Sequence, residues 1–163
     1  MELHMHSHRW VARQPDWAAA AVAGFGAGGI LMVLELAWTA MAGSQDPWLA
    51  THMVAAMVLG WDALQSTGYS TGIVVAALIV HYVLGIAFGV MLAAIIAPFQ
   101  LDSSTGMVLL AGALFGLLLY VLNFYGMASA FSWFSEMRGW PTAIGHVVFG
   151  MSAAYIYRKM EKP

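Results

Sequence analysis

Four runs of mostly apolar residues, about 17–42, 72–97, 105–128 and 140–158, constrain this chain more than any other feature. Each has the roughly 20 residues that a helix needs to cross about 30 Å of hydrocarbon. Lipid offers no hydrogen bonds to a backbone, so runs of this kind satisfy their own N–H and C=O groups as helices. Of 163 residues, 61% are hydrophobic and 9% are charged, too few polar side chains to cover a soluble core of this size. The expected fold class is therefore all-α: an integral membrane four-helix bundle, one transmembrane domain over 1–163 with a short His-rich tail, 1–16.

The punctuation between the runs agrees with this division. Gly43-Ser44-Gln45-Asp46-Pro47 follows the first run, Pro98 is expected to close the second, Asp102-Ser103-Ser104 can cap the third, and Pro141 suits the first turn of the fourth. The first run extends from Trp17 to Ala42, longer than the apolar core of a secretory signal, and reads as a retained helix. Between the first two spans, 47–64 is apolar yet carries His52 and Asp62. As a fifth span it would separate Arg9 and Arg13 from Arg158, Lys159 and Lys162, basic ends that belong together on the cytoplasmic side. An even number of crossings follows. The segment is expected to be an additional interfacial or re-entrant helix between helices 1 and 2, anchored by Trp48 and Trp61. Arg138 is then the one basic residue on the outer side.

The few polar side chains within the spans can be placed by depth from the fixed rise of a helix. Glu35 falls about seven residues before the outer end of its span, His81 about nine inside, Asn123 about five before and His146 about six inside. All four lie in the outer leaflet at similar depth, where a polar group facing lipid is costly, so they are expected to form one inward-facing cluster. His52, Asp62, Glu136 and Arg138 sit in the outer connections as its periplasmic cover. The same residue types also fasten transmembrane helices without any further role.

Two chemistries remain open at such a cluster. His81 and His146 each have a glycine one turn later, Gly85 and Gly150, with Gly89 a turn beyond Gly85. Small residues beside two histidines can admit a flat haem with both as axial ligands. They are equally what close helix packing uses, as are Gly24, Gly28, Gly112 and Gly116. A divalent metal could take His81, His146 and Glu35, although no HxxxH or ExxH spacing fixes two ligands on one helix. The cofactor is thus left unknown, with haem or a divalent metal as alternatives. Cysteine is absent, and the twelve methionines are scattered, which reads as apolar filling. His4, His6 and His8 in the tail could bind a divalent metal weakly.

No GxSxG elbow, no phosphate-binding glycine loop and no basic nucleic-acid surface occurs, and Ser132 and Ser135 near Glu136 form no triad. The residues therefore point away from an enzyme, with no catalytic residue assigned, and from a nucleic-acid partner. A proton-linked channel or transporter is a further alternative, since Glu35 and the histidines could exchange protons, but the inner half of the bundle offers no ionisable residue to continue a path.

The stretches Leu119-Tyr120-Val121-Leu122-Asn123-Phe124-Tyr125-Gly126-Met127, Phe131-Ser132-Trp133-Phe134 and Ala143-Ile144-Gly145-His146-Val147-Val148-Phe149-Gly150, with Arg138 and Trp140, resemble a family of small bacterial inner-membrane proteins. Members are sometimes labelled sodium:proline symporter, which their size makes implausible, and are distantly similar to YagU-type proteins. Glu35, Pro47-Trp48, Met53 and His81 fit the same pattern, so the likeness covers most of residues 20–158. It implies a four-helix protein of the bacterial inner membrane and carries no established activity. The expected role is a non-enzymatic accessory or assembly subunit of a larger membrane complex, in contact with lipid and with other membrane proteins or itself, with both termini cytoplasmic. The alternatives are a haem- or metal-binding redox protein and a small proton-linked channel or transporter.

Overall fold

A computed structural model describes residues 13–41 and 47–162. The His-rich tail, Arg9 and the punctuation at 43–46 lie outside the described residues. Among the described residues the protein is helical with no strand: α1 (Trp17–Met41), α2 (Leu49–Leu59), α3 (Asp62–Gln65), α4 (Thr71–Phe99), α5 (Thr105–Val121) and α6 (Trp140–Met160). Three helices are long and apolar enough to cross a membrane: α1, α4, and α5 together with the helical turns that carry it to Ser129. The fourth expected span, α6, has the length at 21 residues but not the composition, because Thr142, His146, Ser152 and the terminal Arg158-Lys159 pair dilute its apolar content.

Local chemistry sets the helix ends. Asp16 Oδ1 accepts from the Ala19 amide at 3.0 Å and opens α1; Ser104 Oγ accepts from Met107 N at 3.1 Å and opens α5. Pro141 occupies the first turn of α6, where its missing N–H costs nothing. Pro98 does not close α4 as expected. Next to the last residue it removes only one ladder bond, and the helix runs on to Phe99. The stop comes at Gln100, which turns left-handed (φ 52°) while Leu101 N reaches back to Ile96 O at 3.1 Å.

The segment 47–64 is likewise not one helix. Gly60 adopts φ 81°, open to glycine at no steric cost, and divides it into α2 and the single turn α3. With 11 residues α2 is about 16 Å long, too short to cross a bilayer. It seats Ala55 and Ala56 against Ile73 and Ala77 of α4. Two hydrogen bonds hold it: His52 Nε2 donates to Gly68 O at 3.0 Å, and Trp133 Nε1 donates to Met53 O at 3.0 Å. Trp133→Phe keeps the ring and deletes the donor. It is expected to speed hydrogen exchange of the α2 amides about fivefold, the equivalent of about 1 kcal/mol, while exchange in α5 and α6 stays unchanged.

In the bundle α1 packs between α4 and α6, and α6 packs on α5. The contacts are close because glycines meet backbone: Gly24, Gly85 and Gly89 join α1 to α4, and Gly112, Gly116 and Gly150 join α5 to α6. Joined only by residues 100–104, α4 and α5 nevertheless hardly touch each other. Near their connection they share a core with Ala20, Ala23, Ala27, Leu92, Ile96, Val108 and Ala153. Toward the opposite end they leave a space between them.

At the connected end an ionic cluster gathers both chain ends and the α4–α5 turn. Arg13 pairs with Asp102 and, at 2.5 Å, with Glu161. Arg158 donates to Asp102 O at 2.8 Å and to Thr105 Oγ1 at 2.6 Å, and the Lys162 amide donates to Asp16 at 3.3 Å. Residues 13 and 162 therefore lie at the same end of the bundle, which the even number of passages α1, α4, α5 and α6 requires.

Candidate functional site

The end remote from the ionic cluster holds a cavity of about 80 Å³ between α1, α4, α5 and α6. Its polar lining is Glu35, His81, Asn123 and His146, one from each helix or its extension; the remainder is apolar or glycine. Rise per residue sets their common level, and helix rotation, fixed by the glycine contacts, turns them inward.

Asn123 lies where α5 loses its regular form. Leu122–Gly126 is a widened π-helical turn followed by a 3₁₀ turn over Met127–Ser129. Such a turn shifts side chains relative to the regular helix and recurs at functional sites. From it Asn123 Nδ2 donates to His146 Nε2 at 3.3 Å. On its other side the imidazole bonds Thr142 O at 2.9 Å through Nδ1. A ring that donates from Nδ1 and accepts at Nε2 is neutral. His146 is 6% exposed and packs edge-on to Phe124, ring centres 5.2 Å apart. The same turn presents Phe124 O to Arg138 Nε at 2.7 Å, and the guanidinium lies over Tyr125, 4.3 Å from the ring centre.

His81 reaches a different helix, donating from Nε2 to Gly28 O at 2.8 Å and so tying α4 to α1. Glu35 is the exception. Its backbone oxygen accepts from Thr39 at 2.8 Å, but among the described residues its carboxyl has no hydrogen-bond or ion-pair partner. It lines the central cavity and two neighbouring clefts, one of about 210 Å³ toward the start of α6 and one of about 190 Å³ beneath α2.

Of the residues singled out in the sequence, Glu35, His81, Asn123 and His146 thus share one cavity, with one direct bond among them, Asn123 to His146. The four cover residues do not line it. His52 is buried on the inner face of α2 and spent on Gly68; Asp62 and Glu136 are exposed; Arg138 is held by Phe124 and Tyr125. The roof is apolar instead: Val54 and Met57 from α2, with Met127, Phe134 and Met137 from the segment after α5. Desolvation explains the exchange, since a methionine or phenylalanine closes a cavity without needing a partner.

The geometry also bears on the cofactor alternatives. A cavity of about 80 Å³ takes a few water molecules, not a macrocycle. The glycines beside the histidines leave no slot, for a Cβ on Gly85 would lie 3.0 Å from Gly24 O and one on Gly150 would lie 2.1 Å from Gly112 O. They make room for a neighbouring helix. Among the described residues no three histidine or carboxylate side chains come close enough to hold one metal ion.

Sequence reasoning missed the ionic cluster at the other end. Arg13 had counted only toward charge bias and Asp102 only as a cap. The available sign was that Arg13, Asp102 and Glu161 flank three different spans at one level. Compared with known protein families, with curated proteins and with solved structures, the chain finds no match in any of the three.

Proposed function

We propose that this is a small protein of the bacterial inner membrane whose α1, α4, α5 and α6 all cross the bilayer, and that it serves a larger membrane complex as a non-enzymatic accessory or assembly subunit. The ionic cluster end faces the cytoplasm with both termini, in keeping with Arg13, Arg158, Lys159 and Lys162 gathered there and Arg138 at the other end. The likeness of residues 20–158 to small inner-membrane proteins belongs to the same proposal.

The observation that carries this reading is where the polar cavity stops. It occupies one half of the bundle, and between it and the ionic cluster lie Ala23, Ala27, Leu92, Ile96, Val108 and Ala153, all buried. A conduit needs polar groups to line it through its full depth, and none of these side chains is polar. Little polypeptide lies outside the helices, while broad apolar faces, Val33, Val83, Leu110 and Leu114 among them, remain exposed for lipid or a neighbouring helix.

Purified protein in sealed vesicles is therefore expected to pass protons no faster than empty vesicles under an imposed gradient, and to show no Soret absorption. In native membranes it is expected to migrate with a larger assembly whose amount falls when this chain is deleted. A protein-dependent proton flux abolished by Glu35→Gln would overturn the reading in favour of transport.

A further inference from the structure

We propose that the space around Glu35 is a binding site for an organic cation, a substituted ammonium carrying apolar groups. The proposal goes beyond the accessory role and stands on separate observations. Hydrogen-bond accounting comes first. The imidazoles and the guanidinium at this level have partners: His52 in Gly68, His81 in Gly28, His146 in Thr142 and Asn123, Arg138 in Phe124. Among the described ionisable groups that line the cavity and its two clefts, Glu35 is left without a hydrogen-bond or ion-pair partner, although it stands in the bundle where an unpaired carboxylate is costly. A fold that satisfies its neighbours and leaves one carboxyl bare leaves it for something absent from the chain.

Charge narrows the class. Among the described residues no lysine or arginine lines the cavity or either cleft and Glu35 is the one carboxylate there, so the complement is a cation. Among the described residues a metal ion finds no group of three ligands here. The walls select instead for carbon around the charge. In the larger cleft Trp38 and Trp140 meet edge to face at 4.9 Å, and the cleft beneath α2 includes Trp48. Aromatic faces beside a carboxylate attract ammonium groups whose substituents strip them of tightly held water. Leu34, Ile144, Met32 and Leu78 complete an apolar surface for those substituents, and clefts of about 190 and 210 Å³ suit a small one.

Equilibrium dialysis of the full chain in nanodiscs of zwitterionic lipid tests this, with radiolabelled benzyltrimethylammonium as the probe. Saturable binding of one cation per chain is expected. Excess neopentylbenzene, the same shape without charge, should fail to displace it. Glu35→Gln should weaken it at least tenfold, while Glu136→Gln, which changes an exposed carboxylate, should leave it unchanged. On the unaltered protein, benzyltrimethylammonium should protect Glu35 from a hydrophobic carbodiimide, read by mass spectrometry, so the outcome does not depend on a variant folding. Unsaturable uptake, equal displacement by the hydrocarbon, or no protection of Glu35 would overturn the site and leave the accessory role standing. Proton flux through vesicles would overturn that role and leave the site standing.

Discussion

Gly150→Ala is expected to force α6 away from α5 and to destabilise the bundle by about 3 kcal/mol, the upper range for overpacking a close contact. A Cβ at this position would lie 2.1 Å from Gly112 O and 2.8 Å from Gly116 N. Both are backbone atoms of a helix that cannot rotate aside as the tip of a side chain can. The contact is reciprocal: a Cβ on Gly112 would meet Gly150 O at 2.4 Å, and one on Gly116 would meet His146 O at 2.1 Å. Where both helices cross the bilayer, as proposed above, lipid offers no hydrophobic gain for association and close backbone approach supplies much of the attraction. The substitution should also part His146 from Asn123, because both are carried by the two helices being separated. Unfolding in mixed detergent micelles measures the loss, with Gly106→Ala as the reference. Gly106 has nothing within 4 Å of a Cβ, and alanine there should leave stability unchanged or raise it by about 0.5 kcal/mol. Equal midpoints for Gly150→Ala and the unaltered protein would refute the contact.

Depth and rotation differ in how readily a sequence reveals them, and Glu35, His81, Asn123 and His146 show why. Rise per residue is nearly constant, so counting from span ends puts the four at one level, and they do line one cavity. Rotation about each helix axis is another matter. These helices are apolar on all sides, with no polar stripe to mark an outer face, and the arrangement with α1 between α4 and α6 depends on which glycines meet. Partners were therefore hidden. Nothing in the chain announces that His81 bonds Gly28 O on α1, or that Arg138 turns to Phe124 O. Backbone acceptors carry no sequence label. The division at Gly60 and the stop at Gln100 were obscured for a related reason, since a turn is decided by φ and by available carbonyls. Pro98, the conspicuous residue, has little effect next to the last residue of α4.

The ionic cluster at the opposite end yields the second large effect. Arg13→Ala is expected to cost about 2 kcal/mol near neutral pH and to leave the N-terminal end of α1 detached from the α4–α5 turn. Breaking a buried pair costs about 3–5 kcal/mol, and Arg13, with its side chain 34% exposed, recovers part of that from solvent. Its partners are better hidden, at 7% for Asp102 and 8% for Glu161. Without the guanidinium two carboxyl groups face each other in a dry turn. Burial works to raise the Asp102 pKa, but hydrogen bonds from Glu161 and Arg13 outweigh it, and the group sits below its ordinary 3.8. Burial first, then the hydrogen bond to Asp102, holds Glu161 above its ordinary 4.5. Their signs oppose each other. The lowered Asp102 adds stability that is present above about pH 4 and lost as pH falls through its folded value. The raised Glu161 favours the folded state in acid, and that share is lost as pH climbs from about 4.5 through its folded value. Removing Arg13 weakens the first contribution, leaving the Glu161 hydrogen bond to oppose burial, and raises Glu161 further, so the variant should lose stability continuously from about pH 4 toward pH 7. The gap from the unaltered protein should be widest at neutral pH and should close as pH falls through the folded value of Asp102. Unfolding midpoints across that range decide the matter. A gap that stays constant with pH would mean that Arg13 acts through packing of its alkyl stem and that the paired carboxyls bear no net strain.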